Sequence, residues 1–466
     1  MRKIFLGVKL KTLREQRGLT QAALAQQLQL SPSYVNQLEN NQRPLSMAAL
    51  QRLQAALGVD LAFFSEDDEA RRFAQLHEIA AEAALAGGVP DAELRALAQQ
   101  MPAISQLLLR LHGRARSAEQ RLASLGRGER DGGAAAGQAS HEEVRDFFYA
   151  HHNHMDGLDR AAEALALRLD AADSTQDLVP RLEAHLRAAH GVQVRGVVEG
   201  RLRRFDPVQR RLRLADTLTA GQRAFQLATQ LAYLEAGAEI DRLVASNPFS
   251  ADAAALARIG LASYFAGALV LPYGRFLAAA QEQRHDIALL ARRFNVSFET
   301  VCHRLSTLQR RDARGLPFFF VRVDRAGNIS KRQSATDFHF SRGGGTCPLW
   351  NVYEAFAQPG RVLTQVARMP DGRSYLWIAH CETRATGGHG SPERAFAVGL
   401  GCDLRHAGQT VYAKGLDLSD PDSATPIGPG CKLCEREGCA QRAFPALGKQ
   451  LRIDENERSA EPYAAG

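Results

Sequence analysis

Near its C-terminus the chain reads GPGCKLCEREGCAQRAFP (428–445), with Cys431, Cys434 and Cys439 in C-x2-C-x4-C spacing. Thiolates two residues apart in a turn can hold one metal ion from the same side, and three such ligands want a fourth. Cys347 in TCPLW and Cys402 in GLGCDL are the choices, and both contexts read as loops. Four thiolates suit tetrahedral zinc or an iron–sulfur cluster, and scattered ligands beside glycine turns favour the bulkier cluster. Three ordinary thiols would show the same spacing. Cys302 and Cys381 read as a plain helix residue and a plain strand residue.

A different chemistry lies in TQAALAQQLQLSPSYVNQLEN (20–40). Thr20 is a good N-cap for a helix with a buried stripe of Ala22, Leu24, Ala25 and Leu28. Leu30 fills a tight turn. Ser31 caps a second helix with Pro32 in its first position, where a missing N–H costs nothing. Val35 and Leu38 pack that helix inward, leaving Ser33, Tyr34, Asn36 and Gln37 outward. Such amides and hydroxyls can meet base edges in a major groove. Arg2, Lys3, Lys9, Lys11, Arg14, Arg17, Arg43 and Arg52 face only Glu15, Glu39 and Asp60 in the first 64 residues, a surplus that suits a phosphate partner.

This stretch resembles the XRE-type helix-turn-helix of the lambda and 434 repressors and Cro, over residues 5–64. The resemblance implies that Gln21 positions a phosphate, that Ser33, Asn36 and Gln37 read bases, and that Asn40 and Arg43 touch the backbone. Ser31 and Tyr34 complete the DNA-facing set. Pro32 is a departure, since some relatives place a base-reading amide there.

The elements that must carry these groups follow from length and pattern. A chain of 466 residues is too long for one core, and about three domains are expected. The net charge of +7 permits nucleic-acid binding. No apolar run reads as a membrane span of ~20 residues, and MRKIFLGVKL lacks the core of a signal peptide. Seven cysteines, three of them clustered, suit a reducing cytoplasm. After the head (1–65), residues 66–125 read as a helical connector. Leu107, Leu108, Leu111 and Leu122 lie at roughly helical spacing, as a dimer helix or a simply packed one requires. GRGERDGGAAAGQAS (126–140) reads as a flexible linker.

A middle domain is expected over 141–310. It opens with a long helix over 141–169 carrying His151, His152 and His154; the first and last have ligand spacing, but no third ligand is evident. Short antiparallel strands follow over 191–218, then helices over 221–308. HDIALLARRFNVSFETVCHRLSTL (285–308) again has helix-turn-helix spacing and reads as a helical hairpin. Residues 311–466 begin a β-rich domain. FFFVRV, RVLTQVARM, YLWIAHCET and RAFAVGLGCD are its strands, with a hairpin turn from Asp324 to Asn328.

The segments FQLATQLAYLE and ASYFAGALVLPYGRF make the middle domain similar to the ImmA/IrrE type of zincin-like metallopeptidase. Active members of that family carry H-E-x-x-H where this chain has Thr229-Gln230-Leu231-Ala232-Tyr233, and Ala268 stands at the third-ligand position. Zinc hydrolysis needs three protein ligands and a base, which these residues cannot supply. No enzyme is expected. Thr229, Gln230, Tyr233, Tyr264 and Phe265 could line a small-molecule pocket in the former cleft; a filled core is the alternative.

The head, this middle and the tail segments GTCPLWNVYEAFAQPGR, FAVGLGCDLRH and CKLCEREGCAQRAFP together resemble the short-chain fatty acyl-CoA regulators over nearly the full length. The resemblance implies a bacterial transcription factor of short-chain acyl-CoA metabolism with an acyl-CoA effector. The fold expected is an all-α helix-turn-helix head, an α+β zincin-like middle and a mixed α+β C-terminal domain with an antiparallel sheet. The SRGGGT segment (341–346) with Arg342 could meet phosphates, or be an ordinary loop. A homodimer on duplex DNA follows from the few base pairs one head can read, with no membrane partner. Two rivals stand beside this: an iron–sulfur redox or iron sensor acting on DNA, and a zinc peptidase that cleaves a repressor.

Overall fold

Thr20 and Ser31 cap their helices as their side chains suggest: the Thr20 hydroxyl accepts from the Ala23 amide at 3.1 Å and Ser31 from the Tyr34 amide at 3.1 Å. The computed structural model describes residues 7–40, 42–43, 49, 52–53, 56, 66–82, 89–109, 111–113, 115, 132–169, 175–196, 201–335, 338, 346–385, 390, 393–447, 449, 451–457 and 459–463. The chain divides into two compact units. One comprises 1–119, 337–341 and 442–466; the other comprises 120–336 and 342–441.

In the first unit, α1 (Gly7–Gln16), α2 (Gln21–Leu28) and α3 (Pro32–Glu39) pack around Leu10, Leu13, Leu24, Leu28, Val35 and Leu38. Ala22, expected in the buried stripe of α2, is exposed. Gln29 closes α2 in the left-handed conformation (φ 52°), and its carbonyl accepts from Arg52 at 2.8 Å. A second group follows: α4 (Glu66–Glu82), α5 (Asp91–Gln100) and a helix over 102–109. Arg442 and Glu461 form a shielded ion pair at 2.6 Å within the C-terminal tail.

In the second unit, α6 (Gly132–Ala150) begins inside the expected linker. Alanine is the best helix former, and it dominates 132–140. Residues 126–131 lie outside the described set. The long helix expected over 141–169 breaks after Ala150. His152 and Asn153 take positive φ of 49° and 56°, and α7 (Asp156–Arg168) starts afresh. α8 (Thr175–His190) leads to a sheet of order β1-β3-β2, from β1 (Gln193–Arg195), β2 (Arg203–Asp206) and β3 (Arg211–Leu214). The β2–β3 hairpin is antiparallel as expected, but β1 pairs with β3 in parallel.

Then come α9 (Ala220–Glu235), α10 (Gly237–Ala245), α11 (Ala251–Val270), α12 (Tyr273–Glu282), α13 (Ile287–Phe294) and α14 (Phe298–Leu305). α11 corrects the reading that no run is long and apolar enough to cross a membrane, by length and composition. It packs against α9, α7 and α6, and a helix apolar on all sides is what a core centre requires. α13 and α14 form the expected hairpin. α14 is covered: Glu299 pairs with Arg322 at 3.0 Å and Lys331 at 3.2 Å, and His303 packs on Phe320. No free recognition face remains there.

The C-terminal sheet has the order β5-β4-β8-β7-β6-β9. Its strands are β4 (Phe319–Val323), β5 (Ile329–Ser334), β6 (Val362–Arg368), β7 (Ser374–Ala385), β8 (Glu393–Asp403) and β9 (Thr425–Pro426). The ladder is antiparallel except at the edge, where β9 runs parallel to β6. Phe320, Leu376, Ile378, Val398 and Leu400 join the same apolar cluster as the helices. On another packing layer, Phe319 meets Trp377 (ring centroids 4.8 Å apart), which meets Trp350 at 5.0 Å.

Candidate functional site

α3 presents Ser33 and Asn36 exposed and Tyr34 and Gln37 half-buried. Its position is fixed from beneath. Glu39 is 4 % exposed, and Arg14 grips its carboxylate with two bonds of 2.6 and 3.2 Å. A buried bidentate pair is strong and directional. This anchor was not read from the sequence, because its partners lie 25 residues apart. Gln21 donates to Glu39 at 2.7 Å and to Asn36 at 3.4 Å. Its amide nitrogen thus bridges the start of α2 to α3. Asn40 donates to Asn36 at 2.9 Å, and the Arg43 guanidinium lies 5.5 Å from the Tyr34 ring centroid.

The five residues expected to line one pocket divide among different partners. Thr229 gives its hydroxyl to the Phe225 carbonyl of its own helix at 2.7 Å. Gln230 is 2 % exposed and accepts from Arg203 at 2.7 Å; that guanidinium also lies 5.6 Å from the Tyr233 ring centroid. A cation on the core face of β2 therefore meets the helix position where active relatives carry their base. Burial lowers the Arg203 pKa, opposed by Tyr233. Tyr264 instead donates to Asp159 at 2.8 Å, with His154 at 3.2 Å, and Phe265 is core. Asp159 also accepts from Arg304 at 2.7 Å and Arg310 at 3.1 Å. Burial opposes its charge, but Arg304 and its companions hold the carboxyl below its usual range.

His151 bonds the Phe147 carbonyl, so it and His154 face different partners. Among the described residues one three-ligand cluster stands out elsewhere: His185 and His190 meet Glu235 at 2.5 and 2.9 Å, with Arg168 on the other oxygen at 3.1 Å.

Cys347, Cys431 and Cys434 are all buried, and the latter two are near enough to act on the charge of Cys347. Burial pushes the Cys347 thiol up to about 11, against the Leu349 and Gly428 amides that face its sulfur. A Cβ on Gly428 would sit 2.5 Å from the Cys434 sulfur, so glycine is required there. Cys439 is partly exposed. Cys402 is not in a loop: it lies in β8, registered with Leu376 of β7 and inside the apolar core. Burial pushes its thiol to about 12. Among the described residues no disulfide joins any of the seven cysteines. Residues 341–345 of the SRGGGT segment lie outside the described set.

Residues 10–64 match the family described as "Helix-turn-helix", and 187–306 match "IrrE N-terminal-like domain". Residues 307–463 match "Short-chain fatty acyl coenzyme A regulator, C-terminal". The HTH-type transcriptional regulator RamB of Mycobacterium tuberculosis is 46 % identical over 471 residues, covering 99 % of both chains. This chain belongs to the short-chain fatty acyl-CoA regulators. PrpR of Mycobacterium tuberculosis, also an HTH-type transcriptional regulator, is 48 % identical over 99 % of this chain and 96 % of its own. The propionyl-CoA carboxylase regulator of Cereibacter sphaeroides is 42 % identical over 99 % and 98 %. A solved Mycobacterium tuberculosis transcriptional regulator superposes with a TM-score of 0.68 at 52 % identity, covering 70 % of this chain and 99 % of that one. The protein is a DNA-binding transcriptional regulator of acyl-CoA metabolism and not an enzyme. Its IrrE-like domain has lost the ligands of the metallopeptidases it resembles.

Proposed function

We propose that this regulator works in the cytoplasm as a homodimer, reads its operator with Ser33, Asn36 and Gln37, and changes its grip when an acyl-CoA binds. The observation that carries the dimer is an uncovered apolar stripe. Met101, Ile104, Leu108 and Leu111 are exposed by 48, 48, 40 and 49 %. Their three- and four-residue steps follow the seam of a coiled coil, and such a seam buries itself against a second copy. Leu122, expected to extend it, lies outside the described residues. An effector acts only if it binds one dimer arrangement more tightly than another.

Ser31 serves as a cap, while Tyr34, Asn40 and Arg43 contribute phosphate or edge contacts. Cys347, Cys431 and Cys434 would hold a metal: three withdrawn thiols with two backbone amides aimed at one sulfur suit a thiolate-bound zinc or iron–sulfur group. Such a group ties the 428–434 turn to Cys347 and, if redox-active, adds a second signal. Cys439 is the remaining candidate for the fourth position.

The test is native mass spectrometry of anaerobically purified protein, followed by operator titration with and without propionyl-CoA. A dimer that prefers its promoter over scrambled duplex, and whose affinity moves with propionyl-CoA, is expected. A monomer, or affinity indifferent to acyl-CoA, overturns the respective part. A brown chromophore lost in Cys434→Ser would favour the redox sensor; a colourless protein with stoichiometric zinc would favour a structural metal.

A further inference from the structure

The register of the three-stranded sheet sets three arginines side by side. Arg195 on β1 is the neighbour of Arg213 on β3, and Arg213 is the neighbour of Arg204 on β2. All three are exposed. Strand residues alternate between faces, and their neighbours Val194, Leu212 and Phe205 pack toward the core. Adjacent strands lie about 4.8 Å apart, so the row spans roughly 10 Å.

Like charges directly opposite on a sheet destabilise it, and nothing internal answers this row. Among the described residues none of the three has a carboxylate within ion-pair distance; Arg195 reaches only the Gln193 side-chain oxygen at 3.3 Å. Arg201 and Arg210 flank the row and are exposed, and Arg211 adds a charge in the next register. Among the described residues the nearby acids are otherwise placed. Asp206 accepts from the Val208 and Gln209 amides of its own turn, and Asp216 lies against Gly196 beyond the row.

We propose that this outer face is a second contact surface for duplex DNA, in which Arg195, Arg213 and Arg204 hold phosphates of the sugar–phosphate backbone. The proposal extends the DNA-binding reading and rests on it. A duplex offers one charge per ~1.7 Å of axis, so a 10 Å row meets several phosphates at once. Small phosphorylated ligands are held in concave sites, whereas this face lies open along all three strands. Backbone contacts of this kind set affinity and position without reading sequence.

The experiment is a salt series of operator binding by the full chain, comparing wild type with the Arg195→Gln, Arg204→Gln, Arg213→Gln triple variant. Loss of three phosphate contacts per protomer, six in the dimer, should make the slope of log K against log[salt] shallower by about 5.4. Affinity for operator and for scrambled duplex should fall by the same factor, leaving the preference intact. Thermal unfolding should be unchanged or later, since repulsion is removed. The triple arginine-to-lysine variant should restore the slope. A folded glutamine variant with the wild-type slope overturns the proposal. Unchanged DNA binding with weakened propionyl-CoA binding also overturns it, and assigns the row to the phosphates of a small ligand. A wild type with no operator preference would sink the DNA reading itself, which keeps the two failures distinct.

Discussion

Glu39 is an acid withdrawn from water, and its charge is held there by Arg14, which meets it with two nitrogens, and by the Gln21 amide. Removing one partner of such a pair leaves the other charged and stranded. Arg14→Ala is expected to cost the head about 3–5 kcal/mol, read by denaturant unfolding, and to abolish operator binding without touching a base-facing side chain. Gln37→Ala should leave stability unchanged and cost about 1–3 kcal/mol at the operator, with relaxed base preference. Equal losses on specific and random duplex would refute that role. The caps Thr20 and Ser31 were legible because they act within four residues. The Arg14–Glu39 pair was not, since it depends on how two helices cross. Cys402 misled for a related reason. The glycines of GLGCDL suggested a loop, but they sit in β8 to admit an aromatic ring: a Cβ on Gly401 would lie 2.2 Å from the Phe319 ring.

Among elements, the stripe over 101–111 makes a direct prediction. Leu108→Glu with Leu111→Glu should turn the dimer into a monomer in light scattering and weaken operator binding, while leaving the helical circular dichroism in place. Unchanged mass would move the dimer contact elsewhere. α14 shows how an element's surroundings override its pattern. Its sequence has the spacing of a DNA reader, yet β4 and β5 cover it. Its His303 accepts from the Gln333 amide, and desolvation there, with Lys331 nearby, lowers its pKa to about 3. A base depressed in the fold binds its proton mainly after unfolding. His303 therefore contributes stability that is complete above its unfolded pKa of ~6.5 and is lost as pH falls from there toward 3. His303→Gln should flatten the pH dependence of the melting temperature across that window; an unaltered profile would count against the assignment. Four strands of the C-terminal sheet, β4, β6, β7 and β8, were readable in the sequence, as was the Asp324–Asn328 turn. Residues 132–140 were misread because glycine and alanine describe a linker and a helix start equally well.

At the scale of the whole molecule, the second unit behaves as one body. Asp159 on α7 gathers Tyr264 from α11, Arg304 from α14 and Arg310 beyond it. Asp159→Ala would leave the buried Arg304 without its counter-charge, while Arg310 keeps Glu163 at 2.7 Å, and should cost about 3–5 kcal/mol. The melting transition of the second unit should stay single, because its helices and its sheet share one core. Two separated transitions would show that the halves unfold independently.

That common core has a corollary for dividing the chain. The metallopeptidase-like half and the acyl-CoA-regulator half match separate families on either side of residue 306, as if each were a portable part. Yet Phe318 and Phe320 from one side share one apolar cluster with Leu290 and Leu305 of the other. Cutting the chain near residue 306 would therefore bare a greasy scar on both pieces.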